Sequence, residues 1–323
     1  MRNGTADGTA DKPASRTDDE ELVQTLTCPL DYIRWGASYF GEAGLAFGHG
    51  SDNPVDEAAH LVLHALSLAH DLPDTYLQGQ LTDAERRAIV ELLRARVTTR
   101  KPAAYLTGTA WFAGLAFYVD ERVIIPRSPI AELIGDGFQP WLAHREPLAI
   151  LDLCAGCGAI AIACAELFPD ARVVASDAST DALDVARTNA TRHDSGPQVE
   201  LVQADLFDDL PAERFDLIVT NPPYVSREES EGLAAEYQHE PGYAFHGNQQ
   251  DLSLLTRLLV QAPDYLTEDG LLILEVGARA FELEATHPDL PISWVELQHG
   301  GMGVGVLEAE DLAAWASAQT IGG

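Results

Sequence analysis

Lysine is almost missing from this chain of 323 residues, where it occurs only as Lys12 and Lys101. All basic residues together number 20 against 51 acidic ones, a formal net charge of −31 at pH 7. A face that tracks a phosphate backbone needs Lys and Arg in a stripe or patch. The composition therefore argues against direct binding of nucleic acid. A lysine-poor acidic surface keeps a protein soluble and suits a salty cytoplasm or a basic protein partner. No apolar run reaches the roughly 18 residues of a membrane span, and the amino terminus lacks the apolar core of a signal peptide. The expectation is a cytoplasmic protein without a membrane partner. Cysteine is scarce as well: Cys28, Cys154, Cys157 and Cys164. Cys154 and Cys157 have the spacing of a redox or zinc pair, but no second pair and no nearby His completes a metal site. They read as small, reduced packing residues, and no metal is expected.

What is present is an ordinary globular composition, 46% hydrophobic with a mean hydropathy of −0.06. The length leaves room for more than one domain. Residues 1–18, rich in Gly, Ala, Thr, Asp and Ser, predict a disordered tail. Residues 19–104 predict a small helical domain. It starts with apolar residues at mixed helical spacing from Leu22 to Phe40. Asn53-Pro54 then opens a helix to about His70, with Ala58, Leu61, Val62, Ala65, Leu66 and Leu68 inward. Thr82 and Glu85 form a capping box before a third helix with Ile89, Leu92, Leu93 and Val97 on its apolar stripe, ended by Pro102. His60 and His64 lie one turn apart without a third ligand and read as core or partner-facing residues. Residues 105–126 predict a β-hairpin linker of two short strands, Trp111–Val119 and Val123–Ile125, joined near Asp120-Glu121. Residues 127–323 form the last segment, with a helix opening after Pro126-Arg127-Ser128-Pro129.

Within that segment, Ile150–Leu153 reads as a buried strand. It runs into the small-residue turn Cys154-Ala155-Gly156-Cys157-Gly158 and a helix from Ile160 to Phe168, a geometry that lets backbone approach a nucleotide-like ligand. A second strand ends at Asp177, about 20 residues on, where an acid can accept hydrogen bonds from ribose hydroxyls. Asp177 is also a possible helix N-cap. A third strand ends before Asp205-Leu206. Two more run to Thr220 and through Leu271–Val276, and Ile292 to Leu307 holds two final strands around Gly300-Gly301-Met302-Gly303. Neither G-x-G-x-x-G nor Gly-Lys-Ser/Thr occurs, so the pattern fits a ligand that carries adenosine without phosphate.

The stretch Asn221-Pro222-Pro223-Tyr224 follows the fourth strand at its carboxyl edge, where open α/β sheets bind ligands. Pro222 has no N–H and offers a bare carbonyl beside the Asn221 amide. Together they can accept both hydrogens of a planar NH2 group while Tyr224 stacks on its plane.

This order of motifs resembles the class I, seven-stranded, Rossmann-like S-adenosylmethionine-dependent methyltransferases that act on amino and amide nitrogens, here an α/β domain preceded by a small helical one. The resemblance implies S-adenosylmethionine as cofactor. It would be lined by Asp152, Cys154, Ala155, Gly156, Cys157 and Gly158, held at the ribose by Asp177, flanked at adenine by Asp205 and Leu206, and met by Asn221. It implies an acceptor held by Asn221, Pro222, Pro223 and Tyr224. DNA adenine methyltransferases share the tetrapeptide, so it does not choose the substrate. Pro102, Tyr105, Gly108, Phe112, Gly114, Phe117 and Val119, followed by Pro126-Arg127, resemble the HemK-like protein-glutamine methyltransferases. Their targets are class I release factors or a ribosomal protein. Pro126-Arg127-Ser128-Pro129-Ile130-Ala131-Glu132 is similar to the branch that methylates ribosomal protein L-three of the large subunit, as is Phe47–Pro54. That branch implies L-three as the protein partner, Asn221, Pro222 and Tyr224 as catalytic, and Arg127 and Glu240 on the acceptor side. Each of those last two could equally pair with a nearby opposite charge. The chain departs from the family at Gly247–Leu252, after His239-Glu240-Pro241, and by carrying Cys154 and Cys157 where Gly or Ser is usual.

Overall fold

The computed structural model describes residues 18–246 and 252–321. The expected tail, apart from its last residue, and the departure at Gly247–Asp251 lie outside the described residues. The chain divides into two compact units, Met1–Thr107 and Gly108–Gly323.

The first unit is helical: α1 (Asp19–Thr25), α2 (Pro29–Glu42), α3 (Pro54–Ala65), α4 (Asp83–Thr99) and the short α5 (Ala103–Thr107). The apolar stretch from Leu22 onward is two helices rather than one run. Pro29 cannot donate into a preceding turn, and the Asp31 carboxylate takes the Thr27 and Cys28 N–H groups at 3.0 and 3.3 Å, starting the helix afresh. Asn53 caps α3 by accepting from Val55 and Asp56 N–H, both at 3.0 Å. The Thr82–Glu85 capping box forms at the head of α4. Contrary to the expected end near His70, α3 stops at Ala65 because Ser67 turns left-handed (φ 54°). Leu68 therefore comes out to solvent, and Leu63 is buried instead. Tyr32, Phe40, Leu61, Ile89 and Leu93 make the core of this unit. Sealed among them, Arg96 of α4 meets Glu57 of α3, Nε to Oε1 2.5 Å, with Nη2 donating to the Ala46 carbonyl at 3.1 Å. Both ions are essentially inaccessible, 0% and 1% exposed. The ring of His60 stacks on that of His70, centroids 4.9 Å apart, and its Nε2 lies 3.1 Å from Thr107 Oγ1.

The second unit opens with a hairpin, β1 (Thr109–Phe112) and β2 (Leu115–Tyr118). Its turn is Ala113-Gly114, both at positive φ (48° and 79°), the two-residue geometry whose twist matches the strands. The expected join at Asp120-Glu121 and the strand Val123–Ile125 are not there. Asp120 instead closes a turn, taking the Arg122 N–H and side chain, and the Ile125 N–H is claimed by the Glu240 carboxylate at 3.3 Å, leaving no strand partner for it. Helix α6 (Ile130–Gly135) leads into a seven-stranded sheet. Its elements in chain order are β3 (Ala149–Leu153), α7 (Ala159–Leu167), β4 (Arg172–Asp177), α8 (Thr180–Arg192), β5 (Val199–Gln203), β6 (Phe215–Thr220), α9 (Arg227–Glu231), α10 (Tyr243–His246), α11 (Ser253–Tyr265), β7 (Leu266–Glu275), α12 (Ala280–Thr286), β8 (Ser293–Trp294), β9 (Val304–Glu308) and α13 (Ala309–Ile321). The strand order is β5-β4-β3-β6-β7-β9-β8, parallel except for β9, antiparallel to β7, and β8, antiparallel to β9. Because both faces are covered by helices, the central strands read as unbroken apolar runs. Leu151, Val174, Ile218 and Leu272 are all fully buried. β3 pairs with β4 on one side and β6 on the other, so the order reverses there, and a crevice opens at the carboxyl ends of those two strands.

Candidate active site

Two adjoining cavities occupy this crevice, of about 290 and 130 Å³. Asn221, Cys154, Gly156, Ile124 and Ala244 line both, so the start of the Asn221–Tyr224 tetrapeptide and the small-residue turn form their common wall.

The turn is built from left-handed residues, Cys154 at φ 60°, Gly156 at 55° and Gly158 at 78°. At Gly158 the need for glycine is also steric, since a Cβ would stand 3.2 Å from Ala186 Cβ on α8. Cys154 is the one L-residue of the three, in a conformation that costs a side chain roughly 1–2 kcal/mol. Asn189, wholly buried on α8, secures the turn. Its amide donates to the Cys157 carbonyl at 2.9 Å and to the Tyr118 carbonyl at 3.0 Å, and its oxygen accepts from Tyr118 N–H at 2.7 Å. Ala155 N–H is held by the Ser176 carbonyl at 3.0 Å. Asp152 lies beneath the turn, 1% exposed, and lines neither cavity. Its Oδ2 accepts from Ala161 N–H at 2.9 Å in the first turn of α7, and its Oδ1 has no partner among the described residues. Burial drives this carboxyl well above the ordinary range, opposed by the Ala161 N–H and aided by Asp177. Cys157 and Ala155 line the smaller cavity, and Gly158 lines neither.

All four cysteines are free thiols. Burial pushes Cys154 far up and Cys157 up to about 12. Thiolate is the reactive form. At neutral pH a maleimide should label Cys28 of the native protein first, with the buried Cys157 and Cys164 reacting only on unfolding and Cys154, whose thiol is pushed up but lines both cavities, reacting slowly. Peptide mapping of the labelled sites tests this, and rapid labelling of Cys157 would contradict it.

The larger cavity is lined by Asp177, Ala178 and Ser179 at the end of β4 and by Ala204, Asp205 and Leu206 just after β5. Asp177 does not cap α8. Ser179 does that, accepting from Ala182 N–H at 3.3 Å. The Asp177 carboxylate takes Ser179 N–H on Oδ1 at 2.8 Å and Gly156 N–H on Oδ2 at 2.9 Å, so it ties the turn to β4 and keeps lone pairs for a ligand. Burial raises its pKa against the pull of those two N–H groups. Asp205 is salt-bridged to Arg257, whose Nη2 reaches Asp205 Oδ1 at 3.0 Å, Asp205 carbonyl at 2.6 Å and Asp208 at 3.3 Å. The one cation on this wall, among the described residues, is therefore already neutralised. Two carboxylates and no available cation would repel a phosphate and suit a ligand bearing hydroxyl donors and positive charge. The donor set fits S-adenosylmethionine.

The smaller cavity is lined by Asn221, Pro222 and Tyr224 together with Phe112 of the hairpin and Ile125. Pro223 faces the larger one. Thr220 Oγ1 donates to the Leu153 carbonyl at 2.9 Å, binding the ends of β6 and β3 so that Asn221 and the turn share a frame. Arg127 and Glu240 find each other: Nη1 and Nη2 meet the two Glu240 oxygens at 2.6 and 2.8 Å, and the guanidinium lies 5.5 Å over the Tyr237 ring. Glu240 is spent on that pair and on Ile125 N–H, and it does not line the cavity, whereas Arg127 does. The lining also includes Phe245 and Glu275, which no motif singled out, and Ser128, which entered only as part of the Pro126–Glu132 stretch. Glu275 does share one signal with Asp177, an acid ending an apolar strand.

The profile of the Methyltransferase small domain family matches residues 140–237. The ribosomal protein uL3 glutamine methyltransferase of Xanthomonas campestris pv. campestris is 48% identical over 88% of this chain and 92% of its own length. Its namesake from Francisella tularensis subsp. tularensis is 41% identical over 94% of this chain and 97% of its own. A solved methyltransferase structure from Pyrococcus furiosus is 19% identical, covering 67% of this chain and 97% of that one, with a TM-score of 0.45. Identity at this level along nearly the whole sequence means that the chain belongs to the ribosomal protein uL3 glutamine methyltransferase family.

Proposed function

We propose that this protein transfers a methyl group from S-adenosylmethionine to the side-chain amide nitrogen of a glutamine in ribosomal protein uL3. The observation that carries the chemistry is the shared wall. Asn221 stands between a cavity suited to a cationic, phosphate-free nucleoside and a smaller one lined by Pro222 and Tyr224. The names of relatives 41–48% identical to the chain support uL3 as the acceptor protein. The helical unit of residues 18–107 is the candidate for docking it.

When bound, S-adenosylmethionine supplies an electrophilic methyl group on a sulfonium. An amide nitrogen is a poor nucleophile because its lone pair is delocalised into the carbonyl, and Asn221–Tyr224 holds no base strong enough to remove its proton. Positioning and electrostatics are what these residues offer. The Asn221 side-chain oxygen and the Pro222 carbonyl accept the two amide hydrogens. Those bonds strengthen as the nitrogen gains positive charge, so they favour the transition state over the ground state, and the surplus N–H proton passes to solvent after the methyl group has transferred. Tyr224 fixes the amide plane for in-line attack. Phe112, Ile124, Ile125 and Phe245 keep water from competing.

Methyl transfer from labelled cofactor to purified uL3, release factor and DNA, run in parallel, tests the assignment. Label in uL3 alone is expected; label in release factor or DNA instead would overturn it.

Asp177 makes the cofactor site pH-dependent. A hydroxyl-bearing cation favours the ionised carboxylate, whose raised pKa leaves part of it protonated in the free protein at mildly acid pH. Cofactor affinity should therefore rise as pH is raised through this elevated pKa. In the free fold the sign is opposite. The stability that Asp177 contributes is fully present below the ordinary carboxylate pKa and is lost as pH rises through the raised one. Asp177→Asn should weaken binding about 10-fold at neutral pH and flatten the pH dependence, as read by titration calorimetry. An unchanged slope would show that another group titrates.

A further inference from the structure

Tyr224 belongs to the acceptor tetrapeptide, yet what holds it comes from a different part of the chain. Its hydroxyl donates to Glu275 Oε1 at 2.9 Å. Its carbonyl accepts from Arg279 Nε at 3.1 Å. Its ring lies so close to Gly277 that a Cβ there would stand 2.8 Å from Cε2 and 3.0 Å from Cζ and the hydroxyl oxygen. The five residues from Glu275, the last of β7, to Arg279 thus grip hydroxyl, ring and backbone at once. Glu275 is itself fixed, since its other oxygen, Oε2, accepts from the Ser128 hydroxyl, which in turn accepts from Ile130 N–H at 3.1 Å where α6 begins. Glu275 is 4% exposed, and both it and Ser128 line the smaller cavity.

We propose that Glu275 is a positioning residue for methyl transfer: with Gly277 and Arg279 it locks the Tyr224 ring at the angle that presents the acceptor amide, and Ser128 holds Glu275 in that pose. This rests on the function proposed above. A side chain bonded at only one end can rotate about χ1 and χ2. Here the ring is bonded at its hydroxyl, its carbonyl is anchored and Gly277 leaves no slack behind it. The acceptor plane is therefore set by the sheet rather than by the proline loop alone. Gly277 is backed by Gly303, the residue before β9, as Val276 N–H donates to the Gly303 carbonyl at 2.7 Å and a Cβ on Gly303 would strike the Gly277 carbonyl. The clamp is therefore built into the strand pairing.

The test is a double-mutant cycle on the full chain with uL3 as acceptor, comparing Glu275→Ala, Tyr224→Phe and both together. Each single change is expected to lower kcat by roughly 10- to 100-fold, with cofactor Kd unchanged and the double variant no worse than the poorer single one. Glu275→Gln keeps an oxygen acceptor for the Tyr224 hydroxyl and is expected to recover most of the loss. Effects that multiply in the double variant, or a Gln variant as poor as Ala, would overturn the positioning role. So would a Glu275→Ala enzyme as fast as the parent. If the parent chain fails to methylate uL3 at all, it is the function reading that falls, and the two failures are distinct.

Discussion

An Asn221→Ala enzyme should turn over uL3 some 10²- to 10³-fold more slowly than the parent, the size of loss seen when one preorganised polar group is removed from a reacting centre. Its cofactor affinity should change by only a few-fold. The asymmetry follows from where Asn221 sits. Its side chain is shared by both cavities, but the larger one retains Asp177, Asp205 and the backbone of the turn. The smaller one loses the only amide oxygen beside the Pro222 carbonyl among its described residues. Because the Asn221 contact strengthens as charge develops, its loss appears in kcat more than in KM. Single-turnover rates with calorimetric cofactor Kd separate the two quantities. Normal turnover in the variant would remove Asn221 from the chemistry and with it the mechanism proposed for this tetrapeptide.

The second large effect is on stability and concerns Arg96. Replacing it with Leu strands the Glu57 carboxylate inside the helical core, where no water reaches it. Breaking a buried pair from one side typically costs about 3–5 kcal/mol, whereas replacing both partners by apolar residues is often close to neutral. Whole domains are stable by only about 5–15 kcal/mol. Arg96→Leu should therefore melt the helical unit in a separate, earlier transition, leaving the unit from Gly108 onward folded and able to bind cofactor. Arg96→Leu with Glu57→Leu should return most of the lost stability. Calorimetry and limited proteolysis of the full chain read the outcome. A single unshifted transition in Arg96→Leu would mean that the pair contributes nothing.

What the sequence disclosed about this site follows contour length. The small-residue turn, the acid closing β4 and the tetrapeptide after β6 are each local, and their chemistry is legible from neighbouring residues. The helix caps at Asn53 and Thr82 were legible for the same reason. Pairings across long separations were not. Arg127 and Glu240 are 113 residues apart, Ser128 and Glu275 147, and Tyr224 and Glu275 51. No spacing rule links such residues, since only the folded sheet brings them together. The misplaced hairpin turn has a different cause. Asp120-Glu121 has turn composition and does form a turn, but Gly114, two residues after Phe112, marked the tighter one. The Ile125 N–H went to a carboxylate contributed from far down the chain.

The antiparallel insertion of β9 beside β7 sets an order in time. Protein synthesis runs from the amino terminus, so Asn221–Tyr224 and the cofactor turn leave the ribosome well before Gly303 and Val304. Until those last residues arrive, β7 is an open edge, and the Gly277 turn behind Tyr224 has nothing beneath it. A nascent chain could collect its cofactor early, but the clamp on Tyr224 closes only once Gly303 and Val304 have joined the sheet.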